Sequence, residues 1–194
     1  DLASAPVPVV PAAHYQCGGV VTDLDAQTTI DRLYAAGEVA CTGLHGANRL
    51  ASNSVLEGLV FGHRAAAHVT AQLRADATRP PEHPPWDTGN ATSSTESVVV
   101  SQDWDEVRRF MWNYVGILRS DQRLERARKR IALLQDEIHN YYWNVLPSSD
   151  LIELRNIATV AELIIACASH RRESRGLHTT IDYPEARASE QHDT

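Results

Sequence analysis

With 194 residues, 43% of them hydrophobic, the chain has room for one ordinary domain or two small ones around a buried core. Its net charge of −7 speaks against nucleic acid as the main partner, because phosphate binding needs a basic surface. No apolar run reaches the roughly 20 residues of a membrane-spanning helix, and Asp1-Leu2-Ala3-Ser4 has neither a signal-peptide shape nor a starting Met, so a cytoplasmic fragment of a longer polypeptide is expected.

Residues 1–75 are rich in Gly, Ala and Val and poor in charge. Gly19-Val20-Val21-Thr22 and Leu33-Tyr34-Ala35-Ala36 are predicted as short strands, the second ending at Gly37-Glu38. A glycine-containing loop follows, then a helix starting near Ser52-Asn53-Ser54, with Ser52 or Asn53 as N-cap. Leu56, Val60, His63, Ala67 and Thr70 are its predicted inward face. Residues 76–102 carry four prolines followed by small polar residues, a composition suited to a linker. Residues 103–170 show helical periodicity in three stripes: Trp104, Val107, Met111, Val115, Leu118; then Leu124, Ala127, Ile131, Leu134, Ile138, Tyr141; then Leu151, Leu154, Ala158, Ala161, Ile165, Ala168. Asp103 with Glu106, and Asp150 with Glu153, resemble capping boxes, and Pro147 is expected to stop the second helix. Short connections make an antiparallel three-helix bundle the simplest packing, and 171–194 reads as a polar C-terminal tail. The expected class is α+β, mostly α overall.

Cys17, Cys41 and Cys167 form no CxxC pair and have no ligand-like His spacing, so they read as reduced, buried thiols, and no metal site is expected. A helix that follows a strand and a loop offers free N–H groups to a phosphate, a carboxylate or a reduced ring. Gly43, Gly46 and Arg49 fit neither standard phosphate-binding glycine motif. Arg49 is placed to grip a carboxylate with two parallel hydrogen bonds or to form a surface salt bridge. His14 is either a donor to an anion or a structural histidine. Glu38 closes a strand, where it accepts either from sugar-like hydroxyls or from a neighbouring loop. The run Arg119, Arg123, Arg126, Arg128, Lys129, Arg130 reads as a solvated or interdomain face. Trp104, Trp112, Tyr141, Tyr142 and Trp143 read as core, and Arg171, Arg172 and Arg175 near His178 as a domain contact or an anion site.

Three linked stretches narrow these options: His14-Tyr15-Gln16-Cys17-Gly18-Gly19, Leu33 to Val39, and Gly43-Leu44-His45-Gly46-Ala47-Asn48-Arg49-Leu50-Ala51-Ser52-Asn53-Ser54. In this order they resemble the succinate dehydrogenase/fumarate reductase flavoprotein superfamily. Phe110 to Ile117, Arg123 to Ala127, Glu173-Ser174-Arg175-Gly176-Leu177-His178 and Asp182-Tyr183-Pro184-Glu185 resemble the helical C-terminal domain of its L-aspartate oxidase family.

The resemblance implies the C-terminal piece of an FAD-binding α/β domain over 1–75, followed by the helical bundle. It implies FAD as cofactor, L-aspartate or another dicarboxylate as substrate, and iminoaspartate as a product that quinolinate synthase consumes in NAD biosynthesis. His14 and Arg49 match the substrate-binding pair, Glu38 a glutamate that contacts FAD, and Ser54 and Val55 a serine-leucine pair whose backbone meets the flavin. Val in place of Leu matters little where the backbone makes the contact. The family's glycine-rich βαβ motif and the domain carrying its catalytic arginine are not in these residues. No catalytic residue is therefore expected here, and the chain alone should be inactive, hold FAD weakly or not at all, and be prone to self-association. The competing expectations are a fumarate reductase or succinate dehydrogenase flavoprotein and, in a different class, a non-catalytic helical module that binds a partner.

Overall fold

The computed structural model describes residues 3–10, 12–75, 82–93 and 97–192; residues 76–81 and 94–96 of the expected linker lie outside them. The chain divides into two compact units, Ala13–Pro84 in one and Asp1–Ala12 with Pro85–Thr194 in the other. Among the described residues, regular structure consists mainly of four α-helices, with four strands of two residues each. No helix among them is long and apolar enough to cross a membrane.

The second unit is built on α2 (Ser97–Tyr114), α3 (Asp121–Tyr142) and α4 (Ser149–His170), each touching the other two. The stripes read from the sequence meet in one core. Leu124, Ala127, Ile131, Leu134 and Ile138 of α3 are buried, as are Leu151, Leu154, Ala158, Ala161, Ile165 and Ala168 of α4. Val107 and Val115 are buried on the α2 side, with Trp104 and Met111 packed against them. The three alanines of α4 leave room for the longer side chains of α3 to interlock.

Several local expectations are corrected. Helix α2 already begins at Ser97, which places Asp103 in its interior and makes no capping box there. The caps of α3 and α4 are serines: Ser120 Oγ accepts from Arg123 N and Ser148 Oγ from Leu151 N, both at 3.2 Å. Asp150 sits in the first turn of α4, where its charge favours the helix dipole. Helix α3 ends at Tyr142 with Trp143 as its cap, before Pro147 is reached. Trp112 and Trp143 are exposed, because one lies a residue off the α2 stripe and the other follows the helix end. Leu118 leaves α2 and is half exposed in β3. Cys167 is exposed and Cys17 and Cys41 are partly buried, so none of the three is a fully buried thiol.

Residues 171–192 are anchored. Strand β3 (Leu118–Arg119) pairs in parallel with β4 (Thr179–Thr180). Glu173 is wholly buried and accepts from Arg175 Nε at 2.6 Å, Arg187 N at 2.7 Å and Arg171 Nη1 at 3.0 Å. Arg172 meets Asp121 at 2.8 Å and the Tyr183 hydroxyl. The three arginines are thus engaged by groups within this unit. Of the basic run from Arg119 to Arg130, Arg128 and Lys129 pair with Glu125, Arg130 pairs with Glu106, and Arg119, in β3, donates to His178 Nδ1 at 2.7 Å.

These contacts make the anchoring pH-dependent. Hydrogen bonds from Arg175 and its neighbours hold the Glu173 carboxyl down at about 2, and burial, with Arg119 nearby, holds His178 at about 4. Both folded values lie below the unfolded ones, so the stabilisation is complete at neutral pH. It is lost first as pH falls from about 6.5 to 4, when unfolded His178 takes a proton that the folded residue refuses. Glu173 follows between about 4.5 and 2. Proteolysis at residues 171–192 should accelerate in those two steps, and Glu173→Gln should remove the lower one.

In the unit Ala13–Pro84, β1 (Val20–Val21) pairs in parallel with β2 (Ala40–Cys41), in the register Val20 to Ala40. The second strand therefore lies beyond Gly37-Glu38. The predicted strand at 33–36 contributes only a bridge from Tyr34 to Gln27, within a tight loop that Ala26 and Arg32 enter with positive φ. Gly19 has φ +143°, and a Cβ there would lie 2.1 Å from the Val39 carbonyl oxygen. Gly19→Ala should thus push β1 off β2 and cost more than about 1 kcal/mol, read as faster proteolysis within residues 13–75.

Helix α1 (Asn53–Ala75) starts where expected, but the face it packs is a different one. Glu57 is buried, Arg64 reaches the Leu24 carbonyl and Asp25, and His68 and Gln72 both bond the Tyr34 hydroxyl at 3.0 Å. The predicted face is open to solvent, with Leu56 58% and Val60 53% exposed, and His63, Ala67 and Thr70 exposed as well. Leu59 and Val55 join it. The packed face is polar and the apolar face is bare.

Candidate functional site

The loop between β2 and α1 turns through Gly43 and Gly46, both with positive φ, and delivers Arg49 just ahead of the helix. Arg49 Nη1 donates to Ser54 Oγ at 2.8 Å and to the Ala51 carbonyl at 3.1 Å. Nη2 lies 3.2 Å from His14 Nδ1. An arginine can only donate, so His14 Nδ1 accepts, and a neutral His14 then carries its proton on Nε2. The guanidinium carbon also sits 4.3 Å from the centroid of the Tyr15 ring. Three of the five guanidinium N–H groups are used by these partners, leaving Nε–H and one Nη2–H among the described residues.

Of the five residues singled out in the sequence, His14, Arg49 and Ser54 are brought together directly. Glu38 is tied to the same stretch one step away, its Oε1 accepting from Gln16 N at 3.0 Å. Val55 is 71% exposed in the first turn of α1. That turn carries no acidic side chain, and the Ser54 hydroxyl is turned to Arg49. The first amides of a helix have no intrahelical acceptor, so this end suits an electron-rich group.

Beneath these residues lies a cluster to which the sequence assigned no role. Glu57 accepts from the Thr42 hydroxyl through Oε1 and lies 2.7 Å from His45 Nε2 through Oε2. Both side chains of the His45–Glu57 pair are almost fully buried. The Tyr15 and His45 rings meet edge-on, centroids 5.2 Å apart at 85°. Burial, and then the Glu57 charge, raise the Tyr15 hydroxyl above its ordinary range. The signal for this cluster in the sequence is a lone glutamate, between Leu56 and Gly58, in a helix with no other acidic residue. Among the described residues no group of three or more His, Cys, Asp or Glu could hold a metal ion.

Residues 1–55 match the family described as FAD binding domain, and residues 104–193 match the family described as Fumarate reductase flavoprotein C-term. The chain belongs to the succinate dehydrogenase/fumarate reductase flavoprotein superfamily. It is 57% identical over 185 residues to L-aspartate oxidase 1 of Ralstonia nicotianae and 52% identical over 185 residues to L-aspartate oxidase of Vibrio cholerae, covering 95% of this chain and 34% of each relative. A chloroplastic L-aspartate oxidase 2-b of Nicotiana tabacum is 43% identical over 202 residues. Among solved structures, an Escherichia coli quinol fumarate reductase superposes with a TM-score of 0.75 at 30% identity, covering 95% of this chain and 34% of that one. A quinol–fumarate reductase with menaquinol molecules gives 0.76 at 30% identity, covering 97% and 36%. The chain thus spans about a third of the length of the relatives it matches.

Proposed function

We propose that this chain is the C-terminal third of a cytoplasmic flavoenzyme that oxidises L-aspartate to iminoaspartate. The contact of Arg49 with His14 and Ser54, at the start of α1, carries the reading. In it, Arg49 holds a substrate carboxylate with its remaining N–H groups, and His14 donates from Nε2 to the same dicarboxylate. Fixing both carboxylates aligns the Cα–H bond for transfer. Bound FAD supplies the hydride acceptor. Ser54 and Val55 lie in the turn whose amides would face the electron-rich ring, and the Glu38 oxygen not bonded to Gln16 is available to a sugar hydroxyl.

The bare apolar face of α1 supports the view that more of the flavin domain belongs against it, and it makes self-association of the isolated chain the expected behaviour. The helical unit is read as an antiparallel three-helix bundle that begins at Ser97 rather than at 103, which shortens the linker before it to 76–96, and 171–194 as a polar C-terminal tail. The product would pass to quinolinate synthase in NAD biosynthesis. The identity of 52–57% to proteins named L-aspartate oxidase, against 30% to the fumarate reductases, favours aspartate over succinate or fumarate. The alternative of a partner-binding helical module has no comparable support.

Aspartate-dependent peroxide formation tests the reading. The isolated chain should give none and should bind no stoichiometric FAD, whereas mixing it with the N-terminal two thirds of the Vibrio cholerae relative should restore both. A folded, flavin-loaded mixture that ignores aspartate would refute it.

A further inference from the structure

The site residues on the surface rest on a buried layer, and that layer is ordered by one carboxylate. Glu57 receives the Thr42 hydroxyl on one oxygen and His45 Nε2 on the other, which fixes the height and tilt of the imidazole. His45 in turn meets the Tyr15 ring edge-on, and the face of that ring carries the Arg49 guanidinium. The link from Tyr15 to Arg49 is a cation over a π face, sensitive to where the ring lies. His45 Nδ1 is buried with no hydrogen-bond partner among the described residues, so the ring is held in plane by Glu57 alone among polar contacts.

We propose that Glu57 is a positioning residue for dicarboxylate recognition: through His45 it seats Tyr15, and through Tyr15 it sets where Arg49 meets the substrate carboxylate. This rests on the reading of Arg49 as a substrate-binding residue. Glu57 itself is too deeply buried to touch substrate, at 2% exposure. A glutamine there keeps the size but has one oxygen, so it can accept from Thr42 or from His45 and must turn an N–H toward the other. Even where the amide satisfies both partners, the bond to His45 loses its charge-assisted strength, so the ring is held less firmly while the fold keeps its packing. Tyr15→Leu removes the ring over which the Arg49 guanidinium sits.

The test uses a chimera in which this chain replaces the matching C-terminal third of the Vibrio cholerae relative. Succinate, as a non-reacting dicarboxylate probe, is titrated against the flavin spectrum, and aspartate turnover is measured alongside. Glu57→Gln is expected to weaken succinate binding and raise the KM for aspartate about tenfold, with kcat changed less than about twofold. Tyr15→Leu should do the same, and Glu57→Gln with Tyr15→Leu should be no worse than Tyr15→Leu alone. Unchanged succinate binding in Glu57→Gln, or additive losses in the double variant, would overturn the proposal. If Glu57→Gln fails to load flavin, Tyr15→Leu decides: weaker binding supports the relay and unchanged binding overturns it. Arg49→Leu separates the two readings. Should Arg49→Leu abolish succinate binding while Glu57→Gln and Tyr15→Leu leave it intact, only the relay fails; should Arg49→Leu also bind normally, the site reading itself fails.

Discussion

Arg49→Leu, made in the same chimera, is expected to lower kcat/KM for L-aspartate about a hundredfold, equivalent to roughly 2.8 kcal/mol at about 1.4 kcal/mol per tenfold. Removing one partner of a charge-assisted pair with a carboxylate costs about 2–5 kcal/mol when the pair is buried, and the half-buried position of Arg49 places it toward the lower end. A carboxylate that does not react is bound similarly in the ground and transition states, so most of the loss should fall on KM. Arg49→Lys should recover little. Lysine keeps the charge but cannot reach Ser54, Ala51 and His14 together, and it gives up the guanidinium's place over the Tyr15 ring. Steady-state kinetics on flavin-loaded protein checks both variants. An Arg49→Leu enzyme with an unchanged KM would remove Arg49 from substrate binding.

The second large effect concerns the helical unit. Leu134 is completely buried at the centre of α3, between Ile131 and Ile138 on the same face. Leu134→Ala should destabilise the unit by about 3 kcal/mol, within the 2–5 kcal/mol typical of deleting a buried leucine side chain. For a unit of this size that is a fall in melting temperature on the order of 15 °C, followed by helical circular dichroism of the whole chain. Leu133 is 47% exposed one position away, and Leu133→Ala should shift the melting temperature little. The contrast between adjacent leucines makes the test independent of helix propensity, which both substitutions change alike. Equal losses at the two positions would mean that the α3 stripe is misplaced.

That stripe could be read in the sequence because α2, α3 and α4 bury their apolar faces within this chain. Leu124 to Ile138 and Leu151 to Ala168 repeat at helical spacing, and both sets are covered by partners present here. Helix α1 breaks the rule for the same physical reason. Its apolar spacing selects Leu56 and Val60, yet nothing among the described residues covers them, while Glu57, Arg64, His68 and Gln72 make the contacts. Periodicity reports which face is apolar; it does not report which partner is present. The caps misled in a smaller way, since Asp150 and Ser148 both suit a helix start and only backbone angles decide between them.

The site was legible in its surface residues alone. Arg49, His14 and Glu38 stood out through their resemblance to a family motif, and the structure puts the first two in contact and the third one step away. Thr42, His45 and Glu57 lie in or next to the same motif, but nothing in their spacing marks them as a cluster. Their contacts cross 12 to 15 residues of chain, and no spacing rule for such a pairing exists. Buried polar groups must be satisfied, so their partners become visible only when the loop through Gly43 and Gly46 is folded.

The most direct measurement is anaerobic flavin reduction in the chimera, with L-aspartate and succinate supplied in separate experiments. Rapid bleaching of the flavin by L-aspartate, with succinate only perturbing its spectrum, is the expected result and would establish that these residues complete an aspartate-oxidising site. Bleaching by succinate with no response to aspartate would contradict it and assign the chain to a succinate- or fumarate-using flavoprotein.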